Sequence, residues 1–187
     1  MDTRPLIAVI VGSTREGRVG DAIARWFVDR AKQRADLDIE LIDLAEFDFP
    51  ARYPEEATPQ MTTFTAAVDR ADGYVVVTPE YNHSFPASLK QAIDYAYDEW
   101  NAKPVGFVSY GCGGRGRYAV DALRVVFAEL HTMAVRDEVG IDLMAVDGAG
   151  TPRDEDVLEL SVMTMLDQLT WWARALREAR AARPYLA

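Results

Sequence analysis

The sequence predicts one α/β domain: a doubly wound parallel sheet of five strands with helices on both faces. Three observations carry that prediction. Short continuous apolar runs recur along the chain, amphipathic segments of helical period separate them, and a loop rich in glycine, hydroxyls and arginine follows the first run directly. Pro5 to Val11 (PLIAVIV) is β-branched and ends in glycine, as a strand buried on both faces should. From Val19 to Ala35, apolar Ile23, Phe27 and Ala31 fall four apart among charged residues, which predicts a helix. Asp38 to Leu44 alternates polar and apolar, predicting a strand nearer the sheet edge; the stretch Phe47 to Pro59, with Pro50, Pro54 and Pro59, is loop. Thr58 and Pro59 supply a cap and a first-turn proline for a helix over Met61 to Ala71. Tyr74 to Thr78 (YVVVT) is a buried strand. Phe85 to Trp100 predicts a helix with Leu89, Ile93, Tyr97 and Trp100 on one face, and Pro104 to Tyr110 a fourth strand. A helix over Tyr118 to Met133, a strand around Val135 to Leu143 and a helix over Asp154 to Ala182 complete the alternation. In the last helix, Leu158, Val162, Met165, Leu169, Trp172 and Leu176 form the apolar stripe, and the Trp171-Trp172 pair reads as core or as a dimer interface.

The 187 residues, 49% of them hydrophobic, suit a single core. With 20 Lys+Arg against 30 Asp+Glu, the net charge of −10 argues against nucleic acid and anionic membranes as partners. Arg174, Arg177, Arg180 and Arg183 make the chain end basic, as a solvated helix end. Cys112 is the single cysteine, so no intrachain disulfide can form, and a reducing, cytoplasmic location is expected. The first apolar run is too short for a signal or membrane segment, and two histidines and one cysteine cannot assemble a zinc cluster; no metal is expected.

Chemistry is expected in the loops at the carboxyl ends of the strands. The first, Gly12-Ser13-Thr14-Arg15-Glu16-Gly17-Arg18-Val19-Gly20, opens a helix and has the composition of a phosphate cradle: unpaired N–H groups, hydroxyls and guanidinium groups. It lacks the GKS or GKT ending of a P-loop, which disfavours nucleoside-triphosphate chemistry. The second, Pro79-Glu80-Tyr81-Asn82-His83-Ser84-Phe85-Pro86, reads equally as a lining for a flat heteroaromatic ligand and as a rigid strand-to-helix connection. The third contains Gly111, Gly113 and Gly116 in G-x-G-x-x-G spacing, with Asp137 about twenty residues on. Because the first turn carries the stronger phosphate signal, this loop reads first as backbone approaching a planar ligand, then as a dinucleotide site, then as a flexible turn.

Together GSTREGRVG, PEYNHSFPASLKQAIDY and YGCGGRGRYAVDALRVVFAEL resemble, in order and spacing, the NADPH-dependent FMN reductase family of flavodoxin-like proteins. The likeness covers residues about 6 to 135 and is most specific from Pro79 to Asp94. It implies strand order 2-1-3-4-5, FMN at the carboxyl end of the sheet, NADPH or NADH as hydride donor, and a homodimer or dimer of dimers. The phosphate loop falls on Ser13, Arg15, Arg18, Val19 and Gly20; the flavin-ring loop on Pro79, Glu80, Tyr81, Asn82 and Ser84; and a second ring-facing loop on Ser109, Gly111, Gly113 and Gly114. Gln91 stands where asparagine is frequent after the LK pair. The resemblance implies hydride transfer to flavin N5 with no protein nucleophile, so no catalytic side chain is expected. Backbone N–H groups of Gly111 to Gly114 are the expected donors to the reduced ring, and Arg115 and Arg117 the candidates for the NADPH phosphates. Arg15 and Arg18 must hold a phosphate dianion against the global charge; one arginine about 4 Å from a unit charge contributes roughly 4 kcal/mol at an effective dielectric of 20, before desolvation. The acceptor that the resemblance implies is a free flavin, a quinone or another small molecule. A quinone, azo or metal-ion reductase and a flavodoxin-type electron carrier without NAD(P)H oxidation are the alternatives.

Overall fold

The computed structural model describes residues 4–153 and 155–186. Strands β1 (Leu6–Val11), β2 (Asp38–Asp43), β3 (Gly73–Pro79), β4 (Pro104–Gly111), β5 (Met133–Ala134) and β6 (Val139–Asp142) form one parallel sheet in the order β2-β1-β3-β4-β5, with β6 also on β4. Helices α1 (Gly20–Ala31), α2 (Pro59–Arg70), α3 (Ala87–Tyr95), α4 (Arg117–Glu129) and α5 (Glu155–Ala182) connect and cover it. The expected order 2-1-3-4-5 is therefore the observed one.

The period of two along each central strand divides the apolar side chains between two cores. On β1, Ile7, Val9 and Val11 face α1 and α5, while Ala8 and Ile10 face α2, α3 and α4. The same alternation puts Val75, Val77, Val108 and Tyr110 on the first side and Tyr74, Val76, Val105 and Phe107 on the second. Both faces of these strands are covered, which is why their sequences are continuously apolar rather than alternating. Each fully buried valine, isoleucine or phenylalanine among them contributes roughly 1.5–3 kcal/mol relative to its exposed state.

Several expectations are corrected. The fifth strand is broken: Met133 and Ala134 pair with Pro104 and Val105, and Val139 to Asp142 with Val108 to Gly111. Four residues thus oppose two at the break, and Arg124 fastens it by donating to the carbonyls of Val135 (2.7 Å) and Arg136 (3.0 Å). The helix expected over Phe85 to Trp100 stops at Tyr95 and resumes as one 3-10 turn, Asp98–Trp100. Trp100 is buried, its Nε1 donating to the carbonyls of Ile93 (3.1 Å) and Ala96 (2.8 Å), whereas Tyr97 points to solvent. On α5 the buried stripe runs through Leu158, Val162, Met165, Leu169 and then Ala173; Trp171 and Trp172 are exposed and meet edge-on. Asp154, the expected start of that helix, lies outside the described residues.

Candidate functional site

The strand order reverses direction between β1 and β3, so the loops after them open side by side at the carboxyl end of the sheet. There a cavity of about 500 Å³ is lined by the first loop (Ser13 and Arg15 to Val19), by Pro79, Glu80 and Tyr81, by Tyr110 to Cys112, and by Leu143. That volume falls within the range of about 300–1,000 Å³ common for small-molecule sites.

The first loop is pinned by three devices. Gly12 extends the ladder, its N–H donating to the Val77 carbonyl at 2.8 Å, and the absent side chain leaves room for Leu89 of α3. Arg18 bonds Asp43 at the end of β2 in fork geometry, Nη1 to Oδ1 at 2.7 Å and Nη2 to Oδ2 at 2.5 Å, and its Nη1 also donates to the Ser13 carbonyl. Asp43 holds Arg18 protonated above the ordinary arginine range, through that bond first and outweighing the opposing effect of burial. Arg18 therefore lines the cavity with its guanidinium engaged, and Arg15, which is exposed and forms no ion pair among the described residues, carries the available positive charge.

Helix α1 begins at Gly20 with Val19 as its cap residue, which makes no side-chain cap hydrogen bond. An uncapped helix start facing a cavity favours a bound anion. Gly20 packs directly on the Tyr110 hydroxyl: a Cβ there would lie 2.3 Å from Tyr110 Oη. Ser13 is buried, and its Oγ lies 3.3 Å from the Tyr81 hydroxyl.

The second loop is a tight hairpin. Tyr81 and Ser84 exchange backbone bonds of 2.7 and 3.0 Å, and Asn82 and His83 both adopt left-handed φ, 50° and 61°, as the two-residue turn requires. Asn82 tolerates that conformation well; His83 stacks on Tyr118, with ring centroids 4.1 Å apart. Neither Asn82 nor Ser84 reaches the cavity lining. The Glu80 carboxylate accepts from Tyr118 N–H at 3.1 Å in the first turn of α4, which clamps the second loop to the third.

The third loop folds back on β4. Ser109 Oγ donates to the Arg115 carbonyl at 2.8 Å, and Gly116, at φ 82°, sits where a Cβ would meet Ser109 Cβ and Tyr110 N at 2.7 Å. Glycine at 116 is thus a packing requirement. Gly111 lines the cavity, Gly113 stands open, and Gly114 faces Glu80. Of the expected backbone donors, Gly114 N–H is used internally on the Cys112 carbonyl at 2.8 Å. The Cys112 and Gly113 N–H groups take no such partner among the described residues. Arg115 and Arg117 are exposed beside the loop, and Arg115 crosses Gly140 of β6.

Sequence reasoning missed Asp43 and Tyr110. Both had a readable signal: each is a polar group at the carboxyl end of a strand, and Tyr110 follows Val108 on the same face. Tyr110 is 3% exposed, its hydroxyl makes no well-aligned hydrogen bond among the described residues although Ser13 lies within reach, and burial pushes its ionisation above the ordinary tyrosine range.

Sheet order, switch-point cavity and an uncapped helix after the first strand define the flavodoxin-like class. Within it, the chain belongs to the NADPH-dependent FMN reductase family, whose model matches residues 5–145. The NAD(P)H-dependent FMN reductase ntnL of Nectria sp. is 38% identical over 125 residues, 59% of this chain and 62% of that protein. The chain thus spans about three fifths of the length of that relative. A quinone reductase of Pseudomonas putida is 30% identical over 183 residues, 91% of this chain and 96% of that protein. Among solved structures, FerB, the flavoenzyme NAD(P)H:(acceptor) oxidoreductase of Paracoccus denitrificans, superimposes with a TM-score of 0.75 at 21% identity. That match covers 91% of this chain and 98% of FerB, a likeness of fold.

Proposed function

We propose that the chain is an FMN-dependent NAD(P)H oxidoreductase that passes hydride from NADPH, or NADH, to a free flavin, a quinone or another small acceptor. The observation that carries this reading is the cavity itself. Its lining joins Ser13 and Arg15, beside the uncapped helix start, to Pro79, Tyr81, Gly111 and Cys112. The first set fits a phosphate and the second a flat ring. Bound there, FMN supplies the two-electron chemistry.

The chain's own residues then bind and orient. Ser13, Arg15 and the first N–H groups of α1 hold the phosphate, with Arg18 fixing the loop through Asp43. Pro79, Glu80 and Tyr81 set one wall of the ring site, and Asn82 and Ser84 keep that wall rigid through the hairpin. The N–H groups of Cys112 and Gly113 offer donors to negative charge on the ring edge, and Gly111 and Gly114 let that backbone pass close. Arg115 and Arg117, exposed beside the third loop, are the candidates to meet the nicotinamide-cofactor phosphates.

Exposed Tyr97, Tyr118 and Val125 support assembly as a homodimer or a dimer of dimers, measurable by light scattering on a sizing column. The single cysteine suits a cytoplasmic setting. The deciding experiment is anaerobic mixing of the purified yellow protein with NADPH. Rapid bleaching of the flavin bands is expected; a protein that holds FMN and is not reduced is a carrier, and one without flavin absorbance that takes up none refutes the reading.

A further inference from the structure

Beneath the first loop lie three hydroxyls: Tyr81 Oη, Ser13 Oγ 3.3 Å from it, and Tyr110 Oη beside Ser13. The first two are bonded; the Tyr110 hydroxyl is sealed against Gly20, within reach of Ser13 but in no well-aligned hydrogen bond among the described residues. A buried hydroxyl without a well-aligned bond is costly and uncommon, and here it sits below the uncapped start of α1, on the wall of the same cavity.

We propose that Ser13, Tyr81 and Tyr110 form a hydroxyl relay in which Tyr110 is a positioning residue for the bound anion, acting through Ser13. Three hydroxyls in a row carry three protons but make only two internal links, so one proton must leave the row. An anion accepts hydrogen bonds and donates none. With an anion seated, Tyr110 donates to Ser13 Oγ, and the Ser13 proton goes to the anion or, through Tyr81, toward it. No bond other than hydrogen bonds forms or breaks. Gly20 is the companion requirement, because any side chain there would occupy the place of the Tyr110 oxygen. The relay rests on the FMN reading for the identity of the anion, though not for its charge.

The test compares wild type with Tyr110→Phe, which keeps the ring and removes only the oxygen. FMN and riboflavin, which lacks the phosphate, are titrated into flavin-free protein by quenching of flavin fluorescence. FMN affinity is expected to fall about tenfold in Tyr110→Phe, the upper end for one hydrogen bond between neutral groups, with riboflavin affinity unchanged. Ser13→Ala is expected to lose a similar factor, and the double variant little more. A packing role alone would raise or lower the melting temperature without moving the ratio of the two affinities. Unchanged FMN affinity in Tyr110→Phe, or equal losses for FMN and riboflavin, overturns the relay. If wild type binds no flavin, the FMN reading fails separately, and inorganic phosphate becomes the probe: thermal stabilisation of wild type but not of Tyr110→Phe supports the relay, and equal shifts, including none, overturn it.

Discussion

Replacing Asp43 by alanine separates two roles for Arg18, holding the loop or holding the phosphate. In the structure the pair is bidentate, with Arg18 and Asp43 side chains 17% and 16% exposed. Removing one partner of a fully buried pair costs about 3–5 kcal/mol, and of an exposed pair about 0–1. At this burial, with two aligned bonds and a further one to the Ser13 carbonyl, about 2 kcal/mol is expected. Unfolding entropy of about 2.1 cal/mol/K per residue gives roughly 0.4 kcal/mol/K for 187 residues, so the melting temperature should fall by about 5 °C. Arg18→Ala should cost a similar amount and the double variant scarcely more, because either single change already breaks the pair. For a loop-holding arginine, Asp43→Ala and Arg18→Ala weaken FMN by similar factors. Calorimetry of the flavin-free proteins and FMN titration check both halves. If Asp43→Ala binds FMN more tightly than wild type while Arg18→Ala abolishes binding, Arg18 is a phosphate ligand restrained by Asp43, and the reasoning fails.

Three further outcomes follow from the geometry. Arg15→Ala should weaken FMN about tenfold and flatten the salt dependence, since an exposed guanidinium is screened; equal slopes between 20 and about 200 mM salt would count against it. Gly20→Ala should cost about 1–3 kcal/mol despite the better helix propensity of alanine, because Tyr110 Oη must move; combining it with Tyr110→Phe should recover most of the loss in a urea titration. Buried Lys103 donates to the carbonyls of Val68 (3.1 Å) and Asp69 (2.6 Å), and burial lowers it to about 8 from 10.5. Between those values the unfolded chain binds a proton that the folded chain does not, so stability should rise with pH from about 8 toward 10.5, by at most about 3 kcal/mol. The urea midpoint of wild type should therefore climb from about pH 7.5 to 9.5, and that of Lys103→Met should stay flat by comparison.

The sheet was legible because burial on both faces writes itself as continuous apolar runs, and the first loop because glycine, hydroxyls and arginine concentrate there. The break in the fifth strand was not: it depends on Arg124, distant in sequence, capturing the carbonyls of Val135 and Arg136. Trp100 and Tyr97 lie on one stripe only if the helix continues, and it ends at Tyr95, turning the two rings opposite ways. Trp172 was misplaced for a related reason. The stripe on α5 advances by one residue at Ala173, a drift expected of a straight helix with 3.6 residues per turn over 28 residues. In the site, composition named the right loops but not which charges are engaged. That Arg18 is tied to Asp43 while Arg15 stands clear follows from pairing across β1 and β2, where Val11 lies opposite Asp43.

A net charge of −10 need not oppose anion binding, because charges farther than about 8 Å are largely screened at physiological salt. What matters is the few carboxylates near the first loop, and most have local partners. Asp43 is held by Arg18, Asp21 by Arg25 at 2.9 Å, and Glu80 faces the positive end of α4. Among the described residues, Glu16 is the cavity-lining carboxylate for which no such partner is found, and Arg15 stands beside it in sequence. The local balance thus rests on Arg15, the start of α1 and a set of hydroxyls, all donors. A site built from neutral donors and, among the described residues, one unpaired cation holds a phosphate by hydrogen bonds more than by bulk charge, so FMN binding should outlast moderate salt better than an arginine-clustered site would. An FMN dissociation constant that rises more than about a hundredfold between 20 and about 200 mM salt would show instead that bulk charge dominates.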